Sequence, residues 1–223
     1  MTPDRRALSS YRSSAYATRL HTRLRWWWCP FPRIEATVPA SGDVLELGCG
    51  HGLLSLYMAA ASPSRRVRGV DIDAAKIAEA TAAAASLSGR AEVEFEAVAP
   101  GFIPTGQWDA VVIADVLYLL APAVQRQILE AAAGVLRPGG VVVVKEMGLT
   151  PQWKLRWNTL QETLATKVAR VTEHTGAGLH FVAPEQMAAW LDAAGLITET
   201  TSVDHGYPWP HHLVVGRRAA PGG

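Results

Sequence analysis

The sequence has few cysteines and no long apolar run. Only Cys29 and Cys49 occur among its 223 residues, which is too few for a disulfide framework or a structural zinc site. We therefore expect two reduced thiols in a cytoplasmic protein. No apolar run approaches the roughly 20 residues that a membrane-spanning helix needs. No apolar segment of the signal-peptide kind follows the N-terminal arginines, so export is not expected.

Acidic residues are nearly missing from the first 33 positions, where seven arginines accompany the single acid Asp4. The whole chain has a formal net charge of only +1, so the overall charge gives no argument for a nucleic-acid partner. The N-terminal segment is nevertheless basic by itself. Apolar residues make up 49% of the chain, which favours one globular domain over a disordered chain.

From residue 42 onward, strand and helix patterns alternate at short intervals. Short apolar runs predict strands at 43–47, 66–71, 91–98, 108–114, 141–145, 197–203 and 212–217. Helical periodicity predicts helices at 53–61, 74–87, 124–136 and 184–194. Asp73 is suited to cap the second of these helices, and Pro138-Gly139-Gly140 ends the third. This alternation predicts an α/β fold with a mostly parallel sheet, helices on both faces and an antiparallel pair of strands at one edge.

Two further segments combine helical periodicity with many aromatic residues. We divide the chain into an N-terminal helical extension at 1–41, a core at 42–217 with a helical insertion at 147–183, and a flexible tail at 218–223. The insertion contains an amphipathic pattern at 151–171. In the extension, Tyr16, Leu20, Leu24 and the Trp26–Trp28 triplet recur at helical spacing beside arginines. Three adjacent indoles cannot all face one core, so some must line a pocket, a partner surface or a membrane.

The stretch VLELGCGHG at 44–52 places three glycines directly after the first predicted strand. In parallel α/β sheets such a loop lies at the carboxyl edge, where ligands bind. Glycine permits positive φ and close approach of a ligand to the main chain. The dinucleotide fingerprint G-x-G-x-x-G/A is not met, because Leu53 stands where the third small residue is required.

Two acids accompany these glycines: Glu46 precedes them, and Asp71 ends the second predicted strand. A carboxylate has two acceptor oxygens and can hold both hydroxyls of a ribose. Two clustered carboxylates repel phosphate and favour a cationic ligand. An adenosine that carries an amino acid and a sulfonium meets these demands. The alternative for Asp71 is to cap the next helix, although Asp73 already occupies that position.

Four motifs, VLELGCGHG, GVDID, WDAVVIADVLYLL and LRPGGVVVV, stand in an order and spacing that resembles the class I S-adenosylmethionine-dependent methyltransferases. The resemblance covers about residues 42–146, and 184–217 by pattern. It implies a three-layer α/β/α Rossmann-like fold with a seven-stranded sheet and an antiparallel last strand. It also implies S-adenosyl-L-methionine as the cofactor and methyl transfer as the activity.

The resemblance further implies which residues contact the cofactor. The glycines would pass beneath it, Glu46 would lie near its methionine end, Asp71 would bind the ribose hydroxyls and Ile72 would lie on the adenine. The full expected set is Glu46, Gly48, Cys49, Gly50, Gly52, Asp71, Ile72, Ala114 and Asp115. Family members often carry an acid after the third strand for the adenine amino group. Val98 and Ala99 stand there instead, so backbone groups and packing are expected to hold the adenine.

The family shares no single general base, so the catalytic residue stays open. Asp115, Tyr118 and Glu146 are the candidates near strand ends, and His174, His180 and His205 are available from the later segment. The histidines of HGYPWPHH lack metal-like spacing with cysteines or acids, and no metal site is expected. The sequence ADVL replaces the Asn/Asp-Pro-Pro-aromatic signature of amine-directed nucleic-acid methyltransferases, which argues against methylation of base amines.

The two aromatic additions are expected to roof the site and to choose the substrate. The extension would act as a lid or a partner contact. An apolar face beside arginines suits a hydrophobic small molecule, either a natural product or a lipid-like metabolite. Peripheral membrane contact and a homodimer stay open. The alternatives are an RNA methyltransferase that uses the basic N-terminal arm and a catalytically silent, cofactor-binding partner subunit. The preference for Arg over Lys and the abundance of Ala hint at a GC-rich bacterial source.

Overall fold

The computed structural model describes residues 1–87, 91–147, 179–207 and 210–220. Its strands are β1 Gly42–Leu47, β2 Arg65–Asp71, β3 Glu92–Ala97, β4 Trp108–Ala114, β5 Leu136–Met147, β6 Ile197–Ser202 and β7 His211–Arg217. They form one sheet in the order β3-β2-β1-β4-β5-β7-β6. Strands β1 to β5 are parallel, and β7 is antiparallel to both β5 and β6. The predicted seven-stranded sheet with an antiparallel last strand is confirmed.

Helices cover the sheet and connect β1 to β2, β2 to β3 and β4 to β5. Within the described residues they are α1 Pro3–Ser9, α2 Tyr16–Trp28, α3 Phe31–Glu35, α4 Leu53–Ala61, α5 Ala74–Ala85, α6 Pro122–Gly134 and α7 Pro184–Ala193. Asp73 caps α5 as predicted, because its carboxylate accepts the backbone N–H groups of Ala75 and Lys76. None of the described helices has the length and apolarity that a membrane crossing requires.

The core lies on both faces of the sheet because successive strand residues point to opposite sides. On one face, Val44 and Val112 pack with residues of α1, α3 and α4. On the other face, Leu45 and Val111 pack with residues of α6 and α7. The central strands read as continuous apolar runs because both of their faces are covered.

The largest difference from the predicted elements is the start of β5. This strand begins at Leu136, five residues before the predicted position, because Leu136 pairs with Trp108 at the beginning of β4. The pairing register shifts between Trp108 and Ala110, across from Pro138-Gly139-Gly140. Most of the predicted insertion at 147–183, including its helix at 151–171, lies outside the described residues.

The N-terminal extension packs into the same core as the sheet. Tyr11, Phe31 and Ile34 are each at most 1% exposed, and all three belong to the core cluster that includes Val44. The buried Arg65 at the start of β2 holds α3 in place, since its guanidinium donates to Glu35 Oε1 at 2.7 Å and to the carbonyl of Val38 at 2.9 Å. The extension is therefore part of the core on this face of the sheet.

Candidate active site

The loop between β1 and α4 has a left-handed backbone at each of its three glycines. The φ angles of Gly48, Gly50 and Gly52 are +71°, +54° and +78°, a region that favours glycine. The backbone N–H groups of Gly48 and Cys49 both donate to the carbonyl of Val70, at 2.8 and 3.0 Å. The loop is thereby held against the end of β2 at the carboxyl edge of the sheet.

The three glycines differ in what a side chain would meet. A Cβ at Gly48 would lie 2.3 Å from Val116, and one at Gly52 would lie 2.4 Å from Phe95. A Cβ at Gly50 would meet nothing within 4 Å. Internal packing therefore requires the first and third glycines, whereas Gly50 leaves bare main chain beside open space. The sequence pattern did not distinguish these roles.

Asp71, at the end of β2, holds the glycine loop. Its Oδ2 accepts the backbone N–H of Gly50 at 2.7 Å, and its Oδ1 accepts that of Asp73 at 2.9 Å. A carboxylate offers about four lone-pair sites, so acceptor capacity remains for hydroxyl donors. The next residue, Ile72, is 52% exposed. It presents apolar surface at the same carboxyl edge of the sheet, which we call the rim. Sequence reasoning missed the structural role of Asp71 in fixing Gly50.

Glu46 is a buried carboxylate at the centre of the sheet, only 4% exposed. It accepts a hydrogen bond from the hydroxyl of Ser55 on α4. Burial raises the pKa of Glu46 to about 7, against the opposing effect of the Ser55 hydrogen bond. At neutral pH the group is thus poised between its two protonation states, and a nearby cation would favour the carboxylate.

Asp115 follows β4 in a left-handed conformation with φ of +59°, which Asp tolerates better than most residues. Its Oδ1 accepts Lys145 Nζ at 2.5 Å, and its Oδ2 lies 3.2 Å from a guanidinium nitrogen of Arg25. Burial would raise the pKa of Asp115, but the charges of Lys145 and Arg25 outweigh burial and hold it below its usual range. Asp115 therefore stays ionised and is a poor proton acceptor.

Replacement of Lys145 by methionine tests the strength of this pairing. The Lys145 side chain is 1% exposed, so its loss leaves Asp115 with Arg25 alone. We expect the free energy of unfolding in urea to fall by roughly 2–4 kcal/mol. The matched control is Lys76→Met on α5, whose pair with Asp73 is exposed and should change stability by less than about 0.5 kcal/mol. Equal effects of the two substitutions would contradict a tight buried pair.

Glu146, near the end of β5, has one bonded and one free carboxylate oxygen. Its Oε1 accepts the backbone N–H groups of Val116 at 3.2 Å and Leu117 at 2.9 Å. Its Oε2 is buried, with no hydrogen-bond partner in the part of the chain that the structure describes. Burial and the charge of Asp115 raise the pKa of Glu146 to about 8. An orphaned, buried carboxylate oxygen is uncommon and typical of a functional position.

The other predicted residues take different positions around this edge. Tyr118 stacks on Phe181, with ring centroids 5.4 Å apart and an interplanar angle of 9°, and burial raises the pKa of its phenol.

Ala114 is buried, and its carbonyl accepts a hydrogen bond from the guanidinium of Arg25 at 3.3 Å. The Cys49 thiol is also buried, so only its backbone lines the loop. His180 makes a backbone contact with the segment after β4, because its backbone N–H donates a hydrogen bond to the carbonyl of Tyr118. His174 lies outside the described residues.

The N-terminal helices supply contacts that no motif revealed. The Tyr11 hydroxyl donates to the carbonyl of His51 in the glycine loop at 2.5 Å. The rings of His21 and His51 lie 4.9 Å apart. The Cys29 thiol lies 3.8 Å from Asp115 Oδ2, and burial raises the pKa of this thiol to about 12. The cluster of arginines was the only sequence signal, and it did not indicate which arginine reaches the sheet.

In the ranges that the structure describes, no three His, Cys, Asp or Glu side chains form a group that could hold a metal ion.

These residues fit S-adenosylmethionine in its main demands. Gly50 leaves main chain bare at the rim, Asp71 retains acceptor capacity, and Glu46 offers a carboxylate whose ionised form a cation would favour. Asp115, which was expected to contact the cofactor, already has its charge balanced by Lys145 and Arg25.

A family model described as a methyltransferase domain matches residues 44–140. This range contains the glycine loop, Asp71 and Asp115. No curated protein matches the chain in sequence.

Solved structures with this fold include several methyltransferases. An O-methyltransferase family protein from Burkholderia thailandensis is similar, with a TM-score of 0.64 and 20% identity over 90% of this chain. This chain spans only 57% of the Burkholderia protein. The magnesium protoporphyrin IX methyltransferase of Synechocystis, solved with bound S-adenosylhomocysteine, has a TM-score of 0.64 and 17% identity over 96% of this chain and 93% of its own. An O-methyltransferase family 2 protein from Planctomyces limnophilus was solved in complex with apigenin. Its TM-score is 0.63, its identity is 18%, and the match covers 96% of this chain and 65% of the Planctomyces protein.

Residues 44–140 thus match a methyltransferase domain, and the similar solved structures, several of them methyltransferases, share the fold of this chain.

Proposed function

We propose that this protein transfers the methyl group of S-adenosylmethionine to a hydrophobic small molecule, a natural product or a lipid-like metabolite. The observation that carries this proposal is the free oxygen of Glu146, buried beside Leu117 and the stacked pair of Tyr118 and Phe181. An apolar, aromatic wall with one proton-accepting group suits an uncharged, planar or oily acceptor. The Planctomyces protein of similar fold was solved in complex with apigenin, which supports this substrate class.

The bound cofactor supplies an activated methyl group on a positively charged sulfur. In the proposal, the bare main chain at Gly50 forms the floor under the adenosine, and Asp71 accepts the ribose hydroxyls. Glu46 offers its carboxylate to the cationic end of the cofactor. The protein mainly has to align the nucleophile with the methyl carbon and the sulfur. The buried surroundings of Glu146 exclude water from this line.

An oxygen or carbon nucleophile also has to lose a proton. Glu146 Oε2 is the group we assign to accept it, because Oε1 is already held by the N–H groups of Val116 and Leu117. A pKa of about 8 matches a base that works near neutral pH. Asp115 is less suitable, since two cations hold it ionised, and Tyr118 is less suitable, since burial keeps its phenol protonated.

Replacement of Asp71 by alanine tests the cofactor site. Loss of the carboxylate removes charge-assisted hydrogen bonds, so we expect calorimetry to show S-adenosylhomocysteine binding weakened by about 1.5–3 kcal/mol, or roughly 10- to 150-fold. The matched control is Asp73→Ala, two residues away, which removes the α5 cap and should cost about 1 kcal/mol of stability without changing affinity. Unchanged binding by the Asp71 variant would place the cofactor elsewhere.

A transfer assay tests the acceptor class. The protein and cofactor with a labelled methyl group are incubated with bacterial extract that has been separated into an organic-soluble fraction and an RNA fraction. Label in the organic-soluble fraction, strongly reduced with the Asp71→Ala variant at a cofactor concentration near the wild-type dissociation constant, is the expected result. Label confined to RNA would support the RNA methyltransferase instead. Cofactor binding without transfer to either fraction would favour a catalytically silent partner subunit.

A further inference from the structure

Helix α2 buries two polar side chains and exposes several apolar ones. On its inner side, Thr18 and Thr22 are 5% and 2% exposed. On its outer side, Tyr16, Leu20 and Trp27 are 72%, 44% and 75% exposed. Spacings of four and seven residues align these three side chains along one stripe. A surface helix normally has the opposite arrangement, so the outer face of α2 is suited to an apolar environment.

A small notch beside this stripe is lined with arginines. It has a volume of about 50 Å³ and is bordered by Leu8, Tyr11, Arg12, Arg19, Thr22 and Arg23. In the described part of the chain, none of the three arginines takes part in an ion pair. The guanidinium of Arg19 lies 5.9 Å from the ring centroid of Tyr16, which joins the notch to the stripe. Three guanidinium groups are donors that suit a phosphate.

The segment that carries this surface is rich in arginine and poor in acidic residues. Residues 5–34 contain seven arginines and no Asp or Glu. The surface therefore combines exposed apolar and aromatic side chains with the guanidinium groups of Arg12, Arg19 and Arg23. That combination complements the interface of an anionic lipid bilayer, where phosphates lie directly above acyl chains.

We propose that α2 docks this protein on an anionic phospholipid bilayer. Tyr16, Leu20 and Trp27 enter the headgroup region, while Arg12, Arg19 and Arg23 hold lipid phosphates. The proposal makes no use of the assigned base Glu146, so it stands whether or not the acceptor is lipid-like.

Other occupants of this surface fit less well. A second copy related by two-fold symmetry would bring the same arginines against one another. The segment 148–178 has four basic and two acidic residues, so its charge does not complement the arginines. RNA would use the arginines but would leave Leu20 in contact with a polar backbone.

Sedimentation of the 223-residue chain with vesicles tests the proposal. One vesicle type contains equal parts phosphatidylglycerol and phosphatidylcholine, and the other contains phosphatidylcholine alone. We expect binding to the anionic vesicles only. The triple variant Arg12→Gln, Arg19→Gln, Arg23→Gln should lower partitioning about 100-fold, given about 1 kcal/mol for each basic residue near such a surface. The double variant Leu20→Ser, Trp27→Ser should lower it at least tenfold, because insertion buries apolar area.

Matched controls lie far from α2. Ile197→Ser on β6 removes an apolar side chain that is 72% exposed, and Arg126→Gln on α6 removes an exposed arginine. Neither should change vesicle binding. Each variant is checked by thermal unfolding, so that a loss of fold is distinguished from a loss of docking.

Four outcomes would overturn the proposal. Wild-type protein that does not sediment with anionic vesicles is the first, and equal loss in the control variants is the second. Protection of the fold by inorganic phosphate without vesicle binding would reduce the notch to a small-anion site. Dimerisation or RNA binding that the α2 variants abolish, with no vesicle binding, would assign the face to that partner.

Discussion

Replacement of Gly50 by valine should remove measurable binding of S-adenosylhomocysteine and leave the fold intact. The new side chain would point into the open space at Gly50, where no protein atom lies within 4 Å of an added Cβ. In the proposed site this space holds the adenosine. We expect affinity measured by calorimetry to fall at least about 100-fold, which corresponds to roughly 3 kcal/mol.

Backbone strain is a separate effect of this substitution and needs its own control. A β-branched residue at φ of +54° costs about 1–2 kcal/mol of stability. Gly195, just after α7, has φ of +85° and also nothing within 4 Å of an added Cβ. Gly195→Val should therefore lower the unfolding temperature by a similar amount and leave affinity unchanged. Wild-type affinity in the Gly50 variant would show that the cofactor does not lie on this loop.

Replacement of Glu146 by glutamine should lower the turnover number about 10²- to 10⁴-fold for an oxygen or carbon acceptor, the range that a general base contributes. The amide keeps the size of the side chain and can still accept the N–H groups of Val116 and Leu117, but it cannot take a proton. In the wild type, the rate should rise with pH and level off above about 8, because the deprotonated carboxylate is the active form. In the variant this pH dependence should disappear.

The same substitution should raise stability at high pH. Because the pKa of Glu146 is higher in the folded protein than in the unfolded chain, the folded state binds the proton more tightly. Its contribution to stability is therefore greatest at low pH and is lost as the pH rises through about 8. Glutamine does not ionise, so the unfolding temperature of Glu146→Gln should exceed that of the wild type at pH 9 by more than at pH 6.

The matched control is Glu130→Gln on α6, an exposed carboxylate paired with Arg126. It should change neither the rate nor the pH dependence of stability. A Glu146→Gln enzyme with the wild-type rate between pH 6 and pH 9 would exclude Glu146 as the proton acceptor. If the Glu146→Gln variant is more stable but has an unchanged turnover number, the buried carboxylate lowers the stability of the fold and has no catalytic role.

Most of the sheet could be predicted because its signals are local. Strand β4 and helix α4 coincide with their predicted ranges, since an apolar run or a helical period is complete within the segment itself. The start of β5 was missed because Leu136 is in a strand only by virtue of its partner Trp108. Pro138-Gly139-Gly140 reads locally as a break, and the register shift that accommodates it belongs to two strands together.

In the site, too, the positions of the residues could be predicted from the sequence, but their individual roles could not. The acids and glycines of the rim were expected from their positions after strands, since the carboxyl ends of parallel strands share one edge. The individual roles of these residues could not be predicted. That Gly48 and Gly52 avoid Val116 and Phe95 while Gly50 borders open space depends on side chains far away in the chain.

The sequence by itself determined the fold class, the glycine loop and the acidic rim, because period, turn chemistry and motif spacing are properties of neighbouring residues. Only the tertiary structure decided the charge pairing and the pKa values of the acidic groups at the site. Packing of α2 brings Arg25 to Asp115 across 90 positions of chain, and the β4–β5 pairing places Lys145 beside the same carboxylate. Burial then raises the pKa of Glu146 while those two cations lower that of Asp115. Charge and solvation depend on distance in space, which no local pattern encodes.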